Sequence, residues 1–102
     1  MSYADYEIKV IQWAEARRII PNSTPLAQWK KAQEEMQELK DAIDANDMPA
    51  LRDAVGDVVV CLINLCALAD VDLVSCLAGA YGEIKDRKGY MNEEGIFVKE
   101  SK

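Results

Sequence analysis

The chain has 102 residues, half of them hydrophobic, with 18 acidic and 12 basic side chains and no histidine. That length fits one domain, residues 1–102, with roughly two-thirds of the unfolded surface buried and no need for metal or disulfide staples. The missing histidine excludes Ser-His-Asp and Cys-His catalysis, His-ligated zinc and Glu-x-x-His di-iron centres, and the net charge of −6 speaks against a nucleic acid polymer as partner.

The first predicted helix covers about 4–20, where Ile8, Ile11, Ala14 and Ile19 recur at helical spacing beside Val10 and Trp13. Pro21-Asn22-Ser23-Thr24-Pro25 breaks the chain, and Thr24 suits a cap with Pro25 at the first helical position. A second helix follows over about 25–45, with Leu26, Trp29, Met36, Leu39 and Ile43 as its apolar stripe. After Asn46-Asp47-Met48-Pro49, with Asp47 or Met48 as cap, a third and most hydrophobic helix fills about 50–69. Asp70-Val71-Asp72 is a short turn, and a fourth helix is expected over about 73–87, closing on a basic last turn at Lys88-Gly89. The tail, 89–102, is not helical in pattern; Ile96-Phe97-Val98 reads as a short strand after a turn at Asn92 to Gly95.

Short breaks favour antiparallel neighbours, so the expected fold is all-α: a four-helix bundle with a short irregular or β-like tail. The third helix is apolar nearly all round from Val58 to Ala69. One small protomer can hardly cover it, which predicts a homo-oligomer, a dimer or a tetramer. The same run is too short for a membrane span. Cys61, Cys66 and Cys76 form an odd set inside apolar segments and read as small buried hydrophobes, not a disulfide framework. With no signal-peptide pattern at the N-terminus, a reducing, cytoplasmic setting is expected.

The chemistry lies on the two central helices. At about 100° per residue, Gln28, Lys31, Glu35 and Glu38 share an arc of about 80°, beside the apolar stripe. Asp53, Asp57 and Asn64 share an arc of about 40° on the third helix. Taken singly, each has a plain explanation. Glu-x-x-Glu is most often a solvated face. Asp53 and Asp57 suit the early turns of a helix, a core Asn is most often a hydrogen-bonded structural group, and Lys31 can simply pair with Glu35. Jointly they say more. Acidic pairs on consecutive antiparallel helices would face one another, and four crowded carboxylates resist desolvation unless a hard cation joins them. Mg²⁺ takes oxygen ligands and commonly works with phosphates, and Mn²⁺ can replace it, which points to a phosphorylated substrate.

Glu34-Glu35-Met36-Gln37-Glu38-Leu39 followed by Asp53-Ala54-Val55-Gly56-Asp57-Val58 resembles the paired acidic motifs of the MazG-like all-α nucleoside triphosphate pyrophosphohydrolases. The resemblance runs from Ser23 to Glu100 and includes Thr24 through Lys31, Ala80 through Gly89, and Gly95 through Glu100. It implies metal-dependent hydrolysis of nucleoside triphosphates to the monophosphate and pyrophosphate. It implies Glu35, Glu38 and Asp57 as metal ligands, with Glu35 or Glu38 orienting or deprotonating water. The family's remaining Glu falls on Ala54, which cannot ligate; Asp53, one turn before Asp57, is the candidate fourth carboxylate. Lys31, Lys85, Arg87 and Lys88 are candidates for phosphate contacts, Gln28 and Asn64 for other substrate contacts. Trp29 could flank the base, although core packing accounts for it as well. Two rivals stand beside the enzyme: a nucleotide or metal sensor weakened by Ala54, and a helical interaction protein whose acids are only solvated.

Overall fold

The computed structural model describes residues 1–100. Each helix begins where a polar side chain takes up an amide that the helix leaves unpaired. For α1 (Tyr3–Ala16), Ser2 Oγ accepts from the Asp5 amide at 3.2 Å and the Asp5 carboxylate accepts from the Ser2 amide at 2.9 Å. For α2 (Pro25–Asp44), Thr24 Oγ1 accepts from the Ala27 amide at 3.0 Å and Pro25 opens the helix, as expected. For α3 (Met48–Leu68) the cap is Asp47, whose carboxylate accepts from the Ala50 amide at 3.1 Å. Asp72 does the same for α4 (Leu73–Ile84), accepting from the Ser75 amide at 3.0 Å.

The first three helices end alike. Arg18, Asn46 and Asp70 adopt left-handed backbone angles, with φ of 63°, 53° and 61°. The next amide then folds back: Ile19 donates to the Ala14 carbonyl, Asp47 to Ala42 and Val71 to Cys66, at 2.9, 3.0 and 2.9 Å. This closure stops α1 at Ala16, four residues short of the expected end. No glycine marks the site, because an arginine holds the left-handed position. The fourth helix also stops early. Lys85 caps it, and Arg87 and Lys88 lie beyond it, so there is no basic last turn. The chain from Lys88 is committed to a hairpin instead, with the Glu100 amide donating to the Lys88 carbonyl at 2.8 Å.

That hairpin pairs β1 (Gly89–Met91) antiparallel with β2 (Phe97–Lys99), Tyr90 opposite Val98. The second strand falls one residue from the expected 96–98, and the first was not expected. Asn92 organises the turn, its Oδ1 accepting from the Glu94 and Ile96 amides at 2.9 Å each. A side chain at Gly89 would run into the Val98 carbonyl and the Phe97 ring. The part of the expected tail at 101–102 lies outside the described residues.

The centre is a hairpin of α2 and α3, with α1 laid against α3. Its seam is made of small residues: Ala32 and Ala42 on α2, Ala54 and Cys61 on α3, all buried. Small side chains let two helix backbones approach closely. The expected stripe on α2 therefore faces largely outward, with Leu26, Trp29, Met36 and Ile43 exposed and Leu39 half-buried. On α1 the buried positions are Glu7 and Ala14, and Ile8 is exposed.

The fourth helix departs furthest from expectation. It leaves α3 at an angle of 101° instead of turning back along it, and none of its residues is buried. Cys76 on α4 is accordingly exposed, while Cys61 and Cys66 are buried, and all three are free thiols. The result is an open protomer. Its radius of gyration is 16.1 Å, against about 13 Å for a compact domain of this length. Among the described residues no single helix is long and apolar enough to cross a membrane.

Candidate functional site

Glu35 occupies the α2–α3 seam at 7% exposure. It is there because Ala32 and Glu35 share the face that α3 covers. A buried carboxylate needs a partner, and Lys31, one turn earlier, supplies it with Nζ 3.4 Å from Oε1. The hydrogen bond to Glu35 raises the Lys31 pKa, and the Glu34 and Glu35 charges add to it.

Two further carboxyls crowd the same place. Glu38 is exposed, and a hydrogen bond shared with Glu35 raises its pKa, followed by the repulsion of the Glu35 charge. Asp57 is half-buried on α3. Burial raises its pKa first, and the charges of Asp53 and Glu35 raise it further. The Cys61 thiol, one turn beyond Asp57, is pushed up by burial and then by Glu35. Glu35, Glu38 and Asp57 thus feel one another electrostatically across two helices, Asp53 acts on Asp57 along α3, and Lys31 is the cation set among them. They do not form a finished cage: among the described residues no three Asp, Glu or Cys side chains are already gathered to hold a metal ion. The donor chemistry nonetheless fits one. All donors are oxygens, two of the carboxyls hold their protons more tightly than usual, and Glu38 and Asp53 are exposed.

Ala54 is buried in the seam at 4% exposure and offers no donor, whereas Asp53 stands exposed beside Asp57. Asn64 lies two turns beyond Asp57 at 3% exposure, and its Oδ1 has no hydrogen-bond partner. Gln28 is half-buried and donates to Ser23 Oγ at 3.1 Å.

The remaining candidates are elsewhere. Trp29 is neither core nor beside the acids. It lines an open groove of about 430 Å³ with Ala32, Met36, Val58 and Leu62, and none of the four carboxylates borders it. Arg87 and Lys88 border a cleft of about 660 Å³ with Gly82, Asp86 and Lys99 at the far end of α4, again without those carboxylates. Lys85 is exposed at the α4 cap.

One feature beside the acids was missed from the sequence. A cavity of about 370 Å³ opens between α1 and α3, lined by Tyr6, Lys9, Val10, Trp13, Val60 and Asp57 itself. The α1 residues stand at i, i+3, i+4 and i+7: Val10 and Trp13 were legible beside the apolar stripe, whereas Tyr6 and Lys9 give that face a mixed polarity that periodicity does not mark.

The family model described as the MazG nucleotide pyrophosphohydrolase domain matches residues 23–89. The chain belongs to the MazG family. The matched region holds α2, α3 and α4 with every acid of the cluster, and ends where the β-hairpin begins. The chain is also similar to an uncharacterized 18.2 kDa protein in the rep-hol intergenic region of Haemophilus phage HP1, 35% identical over 63 residues. That match spans 62% of this chain and 39% of the phage protein, so the chain covers well under half of that relative. No solved structure matches the chain. The family is described by nucleotide pyrophosphohydrolase activity.

Proposed function

We propose that this chain hydrolyses nucleoside or deoxynucleoside triphosphates to the monophosphate and pyrophosphate, with Mg²⁺, replaceable by Mn²⁺, held by Glu35, Glu38, Asp57 and Asp53. The observation that carries this reading is the crowding of Glu38 and Asp57 around a buried Glu35, where a hydrogen bond to Glu35 raises the Glu38 pKa, burial raises that of Asp57, and the repulsion of neighbouring carboxylates adds to both. Such a site favours whatever brings positive charge into it. A divalent ion bound there would offset the triphosphate charge and make water a better nucleophile.

The protein side of the reaction follows from the placement of the acids. Lys31 fixes Glu35 and stands ready for a phosphate oxygen. Glu38, exposed and already disposed to hold a proton, takes the proton from the attacking water. The bond between the α and β phosphoryl groups breaks, and pyrophosphate leaves. Asn64 Oδ1 offers a free acceptor to the substrate, and Gln28 a side chain held by Ser23. Arg87 and Lys88 lie with a different cleft and Lys85 at the exposed α4 cap, so a phosphate contact from any of them would be made across a subunit boundary.

The open shape supports assembly into a homodimer or homotetramer. The protomer exposes 7815 Å², against about 5,800 Å² for a compact monomer of this mass. The excess of about 2,000 Å² per protomer, about 4,000 Å² for a pair, falls in the range that obligate interfaces bury. Free thiols at Cys61, Cys66 and Cys76 suit a reducing, cytoplasmic setting.

The test is pyrophosphate release from a panel of ribo- and deoxynucleoside triphosphates with Mg²⁺ or Mn²⁺. Turnover that disappears with chelator is expected. A specific observation favours a second reading, a nucleotide or metal sensor: the seam places Ala54 where the family has Glu, and no cage is ready-made. Metal-dependent nucleotide binding without any product would select it.

A further inference from the structure

Cys66 and Cys76 stand on either side of the joint between α3 and α4. Cys66 lies in the last turn of α3, and its carbonyl accepts from the Ala69 and Val71 amides at 3.1 and 2.9 Å. Cys76 lies in the first turn of α4. Its amide donates to the Asp72 carbonyl at 3.2 Å, and the Asp72 carboxylate caps the helix. The joint is thus tied down from both ends, and α4 leaves α3 at 101°. The two side chains meet across it. The Cys66 pKa is raised first by burial, then by the neighbouring Cys76 thiol and a hydrogen bond to it, and last by Glu7 and Asp72. The thiols differ in access: Cys66 is 7% exposed, whereas Cys76 is open to solvent. Cys61 has other surroundings, feeling Glu35, Lys31 and Asp57.

We propose that Cys66 and Cys76 are an oxidation site, which a hydroperoxide converts into a reversible disulfide that locks the α3–α4 joint. The attacking form is a thiolate that the oxidant can reach, so the first step falls on Cys76. Its sulfur attacks one peroxide oxygen, the O–O bond breaks, and Cys76 sulfenic acid forms with water or an alcohol as the other product. The Cys66 sulfur then attacks the Cys76 sulfur. An S–S bond forms, the S–O bond breaks, and the hydroxyl leaves as water with the Cys66 proton. Two thiols have lost two electrons and two protons, and the peroxide has gained them. A dithiol reverses the change by exchange. Transient bonds of this kind are the form disulfides take in reducing compartments. Closing 66–76 into a ring holds α4 in one direction. At about 100° per residue, the exposed Val74, Leu77, Tyr81 and Ile84 share an arc of about 80°, with Cys76 about 80° outside it. The bond therefore grips α4 beside its apolar face and leaves that face uncovered.

The experiment treats the full native chain with hydrogen peroxide and counts thiols after unfolding. Of the 3 cysteines, one should stay reduced, and the product should be a single chain lighter by two hydrogens. After proteolysis on the N-terminal side of Asp70 and Asp72, the fragments carrying Cys66 and Cys76 should remain joined until dithiothreitol is added. Cys61→Ala should keep the bond. Cys66→Ala should abolish it and stop at the Cys76 sulfenic acid, trapped by dimedone. The oxidised chain should melt about 5–15 °C above the reduced one, as expected for a short ring closed without distortion. The proposal is overturned if all three thiols persist, if the product is a dimer joined through Cys76, or if Cys66→Ala still forms an intrachain bond. An oxidised chain that melts lower than the reduced one would overturn it too, because the bond would then form only by dislodging α4.

Discussion

The α2–α3 hairpin and the C-terminal arm, α4 with its β-hairpin, invert the usual distribution of residue types. The hairpin buries a carboxylate and an amide, Glu35 and Asn64, between alanines. The arm exposes Leu77, Tyr81 and Ile84 and has no buried residue in its helix. A buried charge is costly, and an exposed apolar face is unstable against association. The first is tolerated where chemistry needs a desolvated acid, the second where another surface will cover it. Under the proposed function the hairpin is the reactive part and the arm the part that assembles.

The strongest way to break that division is to neutralise the hairpin acids one at a time. Glu38→Gln and Asp57→Asn should each lower pyrophosphate release by about 10²-fold or more, the range typical for removing a catalytic acid or base. Neither should lower the melting temperature in metal-free buffer, because each removes a group whose charge its neighbours oppose. A melt that fell with activity intact would make these acids structural and return the cluster to a solvated helix face.

Much of this was legible in the sequence, and the misses have physical causes. Caps at Thr24 and Asp47 carry residue types that accept amide hydrogen bonds, so the starts of α2 and α3 were readable. The end of α1 was not, because its left-handed residue is Arg18 and not the glycine or asparagine that advertises such a position. The acids could be grouped by helical angle alone. The stripe on α2 misled for a related reason. Periodicity finds a hydrophobic face but not which neighbour covers it, and α3 meets the alanine and Glu35 side, leaving Trp29 and Met36 outside. The direction of α4 depends on the turn at Asp70 to Asp72, whose 101° outcome no local pattern encodes.

A smaller effect is expected on the arm. Leu77 is 62% exposed and makes no core within its own protomer, so Leu77→Asp should leave folding unchanged and act on association. Light scattering should give a wild-type mass of two or four times 11.4 kDa and a shift of Leu77→Asp toward the single chain. A wild type that is already monomeric at micromolar concentration would leave the arm without a partner of its own kind and separate the two regions' roles.

The smallest expected effect lies where α1 meets that division. Glu7 is buried on α1 and accepts a hydrogen bond of 2.7 Å from the Tyr3 hydroxyl. Burial, then that hydrogen bond and the Glu7 charge, push the Tyr3 pKa up to about 12. The folded state thus holds the phenolic proton more tightly than the unfolded chain, whose value is 10.0. Stability from this pair is complete below pH 10 and is lost as pH rises from there through about 12. Urea titrations should show wild-type stability falling over that interval more steeply than in Tyr3→Phe, which has no proton to lose. The variant should also be slightly less stable at neutral pH, because Glu7 stays buried without its donor. Equal slopes would mean that Glu7 is held by something other than Tyr3. They would leave the acid cluster untouched, since its four carboxyls lie on α2 and α3.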